Sequence, residues 1–192
     1  MADLSVPISP LHGLAERCAA QPESVSVWEE PFTAMTDLWV DPTGEGGRAA
    51  AVVLGAALPA SPGRSIETTV ATAIWFGPEE WLVTSRATSA ADLESSLQQA
   101  VRPHGGSATD VSAQRTSIRL SGEHARFVLS KGCSLDLHPS VYSPGTAQQT
   151  MLGQAAVVII ALDDGGADYR LLVRSSFARY LLEWLFDASA EF

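Results

Sequence analysis

Four histidines, two cysteines and 22 acidic side chains are the groups here that could bind a metal, attack a carbonyl or move a proton. Their spacing decides which of these is open. His12, His104, His124 and His138 stand far apart, and none sits at helical or hairpin spacing from a second His, Cys or carboxylate in a closed metal pattern. The nearest approach is Cys133, Asp136 and His138, which needs a fourth ligand and a turn that converges all three. Cys133 with His138 is also the pair that could serve as nucleophile and base, against the plainer reading of a thiol packed beneath a turn. No glycine-flanked serine elbow occurs. Glu79-Glu80 and Asp163-Asp164 sit at turns, and strand neighbours point to opposite faces, so neither pair converges on one substrate atom. The clusters Gly44, Gly46-Gly47 and Gly165-Gly166 lack the Lys and hydroxyl residue of a phosphate loop and read as hairpin turns. The residues therefore define no catalytic, cofactor-binding or metal site.

What remains is a docking surface. Arg115, Arg119, Arg126 and Lys131, the only lysine, form a local basic group in an acidic chain. Such a group is either a set of solvated salt bridges or a face that meets an acidic surface. The segment 131–139 mixes a cation, a thiol, a carboxylate, an imidazole and apolar residues. Alternation predicts Leu135 and Leu137 inward, with Asp136 and His138 outward beside Lys131, placed for charge-assisted bonds across an interface or for tying down their own loop. Lys131, Asp136, His138, Arg115 and Arg119 are the candidate interface residues. Aromatics favour cores and interfaces alike, so among Trp28, Trp39, Trp75, Trp81 and Trp184 one or two are expected to stay exposed until a partner covers them.

The elements that must position these residues follow from periodicity. Residues 1–22, with Pro7, Pro10, Gly13 and Pro22, read as an extended arm with a short helical turn near Leu14 to Ala20. Strands are predicted over 25–29, 34–40, 49–54, 66–76, 81–84, 108–111, 116–120, 155–162 and 169–173, the apolar run 155–162 being central. Helices are predicted from Ser89 to about Val101 and from Glu123 to Lys131, with Gly132 as a left-handed stop. The last helix starts at Ser175 or Ser176 and buries Phe177, Tyr180, Leu181, Trp184, Leu185 and Ala188. Connections too short for parallel crossovers make this α+β with mainly antiparallel sheets. Residues 23–192 read as a single domain of two similar halves, about 23–105 and 106–192.

Charge and composition exclude several partners. The net charge is −10, with 13 acids against 5 Arg in residues 1–105 and 9 acids against 7 bases beyond. An acidic chain lacks the positive field that nucleic acid or an anionic membrane requires. Two distant cysteines make no disulfide framework, no secretory signal is read, and the longest apolar run is too short to span a bilayer, so a cytoplasmic location is expected.

Several segments in order resemble one family. They are Trp75-Phe76-Gly77-Pro78-Glu79-Glu80-Trp81-Leu82-Val83, Asp110-Val111-Ser112 with Arg115, Leu120-Ser121-Gly122, and Val128 to Cys133 running into Leu135-Asp136-Leu137-His138-Pro139. Ser176-Phe177-Ala178 and Trp184-Leu185 close the series. This order resembles the gamma subunit of heterotetrameric sarcosine oxidase. The resemblance implies a fold related to the folate-binding domain of the glycine-cleavage T-protein, built from two ferredoxin-like half-units. It also implies alpha, beta and delta subunits as partners. The family's complex demethylates sarcosine to glycine, yields hydrogen peroxide and passes the one-carbon unit to tetrahydrofolate. FAD, FMN, NAD, zinc and tetrahydrofolate belong to the other subunits, with none in this chain and no catalytic residue in it. Two rivals stand beside this reading: a stand-alone folate-binding protein of T-protein-like fold, and an enzyme using Cys133 and His138.

Overall fold

The computed structural model describes residues 7–192, so the first six residues of the predicted arm lie outside the described residues. The rest of the arm carries a short helix, α1 (Ala15–Ala19), where a helical turn was expected. It lies on this domain: Leu11 is buried in the core, with Leu14 and Cys18 packed against it.

Two five-stranded sheets follow, and every pairing in them is antiparallel. The strands are β1 (Ser26–Glu30), β2 (Ala34–Trp39), β3 (Ser65–Glu67), β4 (Thr72–Gly77), β5 (Glu80–Ser85), β6 (Ser107–Asp110), β7 (Arg115–Ser121), β8 (Ala147–Leu152), β9 (Ala155–Ala161) and β10 (Asp168–Arg174). One sheet runs β1-β7-β10-β9-β8, the other β3-β4-β5-β2-β6. Each sheet borrows a strand from the other stretch of chain, β1 going to the later strands and β6 to the earlier ones.

The helices are α2 (Glu45–Leu54), α3 (Ala90–Val101), α4 (Ala125–Ser130) and α5 (Ala178–Ser189). Alternation along each strand sorts the side chains into layers. Leu38, Trp81 and Val83 pack under α2 and α3, with Leu54, Leu93 and Leu97. Ile118, Leu120, Leu171 and Val173 pack under α4 and α5, with Val128, Leu181 and Leu185. Between the sheets, Met35, Ile74 and Leu82 meet Val158, Ile160 and Leu172. The order is helices, sheet, sheet, helices, an α+β fold as predicted.

Several expectations need correction. Residues 49–54 form the end of helix α2 rather than a strand, and the glycines before them are no hairpin. The run Ala49-Ala50-Ala51 has the highest helix propensity of any residue type. Gly46 and Gly47 sit inside the first turn because a Cβ would meet Val40 Cγ2 at 2.6 Å and the Pro42 carbonyl oxygen at 2.5 Å. Residues 66–76 are two strands, not one. The Thr68 hydroxyl accepts the N–H groups of Val70 and Ala71, a side-chain turn that hides within a β-branched run. Strand β8 was not foreseen, since its Gln148, Gln149 and Thr150 give a polar edge strand without an apolar pattern. Gly132 is not left-handed; it is glycine because a Cβ would lie 2.5 Å from Trp184 Cζ2. Helix α3 starts as predicted, with Ser89 Oγ accepting the Asp92 N–H at 3.1 Å. In α5 the buried stripe is Ala178, Leu181, Leu182, Leu185 and Ala188, whereas Phe177 and Tyr180 are exposed.

Candidate functional site

The segment after α4 alternates as its sequence predicts. Leu137 is buried and Leu135 half-buried against the helix-side core, while Asp136 and His138 face solvent. Their polar atoms serve the loop itself. Asp136 Oδ1 accepts the His138 N–H at 2.9 Å, and His138 Nδ1 lies 2.8 Å from Ser140 Oγ and accepts the Ser140 N–H at 3.2 Å. Lys131 does not join them. Its ammonium donates to the Ala188 carbonyl, pairs with Glu191 at 2.6 Å and sits 5.0 Å from the Phe192 ring centroid. A cation at the end of α5 suits the helix dipole. Arg126, Phe127 and Leu135 line a shallow groove of about 340 Å³ with Asp136 and His138 on its rim. Phe127 is 54% exposed beside it.

Arg115 and Arg119 lie elsewhere, on the face of β7 turned toward the other sheet. They share no surface with Arg126 or Lys131, so the basic group read from the sequence is divided by the sheet. Arg119 pairs with Asp168 and lies over the Trp28 ring at 5.9 Å. The hydrogen bond to Asp168 is the largest cause holding the Arg119 pKa above its ordinary value. Trp28 and Trp39 are the exposed tryptophans, and Trp81 is fully buried.

The strongest electrostatic feature is one that sequence reasoning missed. Glu30, 2% exposed, accepts Arg170 Nε at 2.6 Å, Arg170 Nη2 at 3.2 Å and Ser117 Oγ at 2.8 Å. Arg86 Nη1 reaches it at 2.8 Å from the other sheet's side, and Arg119 Nη1 lies at 3.6 Å. Burial alone would raise this carboxyl. The bonds and charge of Arg170, with Ser117 and Arg86, outweigh it and hold the pKa below the ordinary value. One signal was available: Arg119 and Arg170 occupy strand positions whose neighbours are otherwise core, and such cations need a buried partner.

Cys133 and His138 do not meet: the Cys133 sulfur accepts the Leu135 N–H at 3.4 Å, and the imidazole is turned to Ser140. Cys18 and Cys133 are both free thiols. Among the described residues no group of three or more His, Cys, Asp or Glu could hold a metal ion. No helix among them is long and apolar enough to cross a membrane.

With this geometry in hand, the similarities to known proteins are specific. The chain is 34% identical over 170 residues to sarcosine oxidase subunit gamma of Corynebacterium sp. (strain U-96), covering 88% of this chain and 81% of that one. It is 32% identical over 187 residues to the Arthrobacter sp. subunit gamma, covering 96% and 90%. A chain in the structure of heterotetrameric sarcosine oxidase from Corynebacterium sp. U-96 in complex with pyrrole 2-carboxylate superposes with a TM-score of 0.87 at 32% identity, over 97% of this chain and 96% of that one. The glycine cleavage system aminomethyltransferase T from Bartonella henselae gives a TM-score of 0.65 at 14% identity, over 94% and 50%, a likeness of fold alone. Residues 42–191 match the sarcosine oxidase, gamma subunit family, and the chain belongs to that family.

Proposed function

We propose that this chain is the gamma subunit of a heterotetrameric sarcosine oxidase, a non-catalytic member of the complex that acts in its assembly and stability. The observation that carries this is the end-to-end correspondence with one chain of such an oxidase, 97% of this chain on 96% of that one. In the complex, alpha, beta and delta subunits hold FAD, FMN, NAD, zinc and tetrahydrofolate. They demethylate sarcosine to glycine in the cytoplasm with formation of hydrogen peroxide and methylene-tetrahydrofolate. The side chains of the 131–140 segment support the division of labour: Asp136 and His138 cap their own loop, Cys133 bonds the Leu135 N–H, and Lys131 ends α5. The stand-alone folate-binding reading has only the shared fold behind it.

The docking surface we assign is the groove beside α4, with Phe127 as its aromatic anchor and Asp136 and His138 as its polar rim. Aromatic side chains at the centre of a patch carry much of an interface's energy, and rim charges carry little. Lys131 and Arg119 serve this chain's own structure first, through Glu191 and Asp168, and Arg115 faces away from this groove, on the sheet-facing side of β7.

Co-expression with the other three subunits tests the assignment. This chain is expected to purify with them in one complex, and omission of it to leave the complex unassembled. Recovery of a complete, fully active oxidase without it would sink the reading. Within the complex, Phe127→Ala should weaken incorporation about tenfold or more while barely changing the stability of the chain. The Asp136→Ala, His138→Ala double variant should weaken it less than Phe127→Ala. Unchanged incorporation in both variants would move the docking surface elsewhere.

A further inference from the structure

The layer between the sheets holds two cross-strand guanidinium pairs that are handled differently. Arg119 and Arg170 stand opposite each other on β7 and β10, and Glu30 and Asp168 neutralise them. Four residues along β7, Arg115 and Arg174 are opposite each other in the same register. Among the described residues, no carboxylate oxygen lies within 4.0 Å of either. Arg115 donates to Gln114 Oε1 at 3.3 Å and lies over the Phe76 ring at 5.6 Å. Like charges directly opposite on neighbouring strands repel. Burial and then the charge of Arg174 accordingly lower the Arg115 pKa.

The facing sheet presents the reverse. Asp37 pairs with Leu82 and Trp39 with Glu80, which makes Asp37 and Glu80 diagonal neighbours on one face. Both are half-buried, and Asp37 takes the Trp39 indole N–H at 3.1 Å. Burial, and then the charge of Asp37, raise the Glu80 carboxyl. All four charged groups line one cleft of about 410 Å³, with Phe76, Leu82 and Val111 as its apolar part. The two walls belong to different sheets, Arg115 and Arg174 to one and Asp37 and Glu80 to the other.

We infer that this cleft binds a small zwitterion, a free α-amino acid whose carboxylate meets Arg115 and Arg174 and whose ammonium meets Asp37 and Glu80. Charge decides the class. A simple anion gains from the basic wall and is repelled by the acidic one, and a simple cation meets the converse. A molecule carrying both charges a few bonds apart relieves both walls at once. The inference rests on this cleft and is independent of membership in a complex.

Titration of the full chain by calorimetry with the free α-amino acids, glycine and alanine first, and with acetate and methylammonium as half-ligands, tests it. At least one amino acid should bind about tenfold or more tighter than either half-ligand. Arg174→Gln and Glu80→Gln should each weaken that binding about tenfold, with unchanged circular dichroism. Both residues reach the cleft from strand ends, so these variants spare the core even if one at Arg115 fails to fold. Absence of binding by any amino acid, acetate binding as tightly as the amino acids, or full affinity in both variants would each overturn the inference.

Discussion

Glu30→Ala is expected to destabilise the protein by about 3–5 kcal/mol, because it removes the buried partner of a buried cation. Arg170 keeps only 11% of its side-chain surface exposed, so without Glu30 its guanidinium stays buried beside Arg119 with nothing to neutralise it locally. Arg86 is mostly exposed and adds little of its own. Chemical denaturation checks the size of the loss, and a change below about 1 kcal/mol would show that water relaxes the site. The pH dependence has a definite sign. The Glu30 carboxyl is held below its ordinary value of 4.5, so its contribution is complete above that value. It is lost as the pH falls through the lower folded value. The acid limb of the wild-type stability curve should therefore be steeper than that of Glu30→Gln, which keeps the shape and has no charge to titrate.

The second large effect is expected at Gly122. Its φ of +124° is a backbone region closed to side chains, and a Cβ there would lie 2.2 Å from the Ser24 carbonyl oxygen. That oxygen is fixed, since it accepts the His124 N–H at 3.2 Å, while the Gly122 N–H donates to the Ala167 carbonyl at 2.9 Å. Backbone strain and overpacking add, so Gly122→Ala should cost about 2–5 kcal/mol. For a chain of this length the melting temperature should drop by at least about 5 °C. Gly55→Ala is the control: φ is +78° and no atom lies within 4 Å, so it carries strain without a clash. Equal losses at the two positions would mean that the contact with Ser24 gives way freely.

The features legible in the sequence were those with a local cause. The Ser89 cap, the α4 face of Ala125, Val128 and Leu129, the alternation of β7 and the inward Leu135 and Leu137 are all set by spacing within a few residues. What was missed depends on distant neighbours. Gly46, Gly47 and Gly132 look like turn residues until Pro42, Val40 and Trp184 are seen pressing on them. Phe177 and Tyr180 fit the helical stripe, yet both stay exposed and pack edge-on against each other. At the site, Arg115, Arg119, Arg126 and Lys131 are close in sequence and carry one sign of charge. The pleat of β7 and the turn into α4 send them to opposite sides of a sheet. Glu30 and Glu29 are indistinguishable by composition. Only the register of β1 on β7, with Glu30 opposite Ser117, turns Glu30 inward.

The exchange of β1 and β6 between the sheets bears on how the chain is made. Strand β1 leaves the ribosome early, yet its pairing partner β7 ends at Ser121. The register joins Glu30 to Ser117, so at ~5–20 residues per second β1 waits about 4–17 s for its neighbour. Throughout that time Val25 and Val27 have no core to enter, and neither sheet can be completed by the first 105 residues alone. Nascent fragments ending there should therefore be protease-sensitive and hold chaperones, and resistance should arise in a single late step once β7 to β10 have emerged.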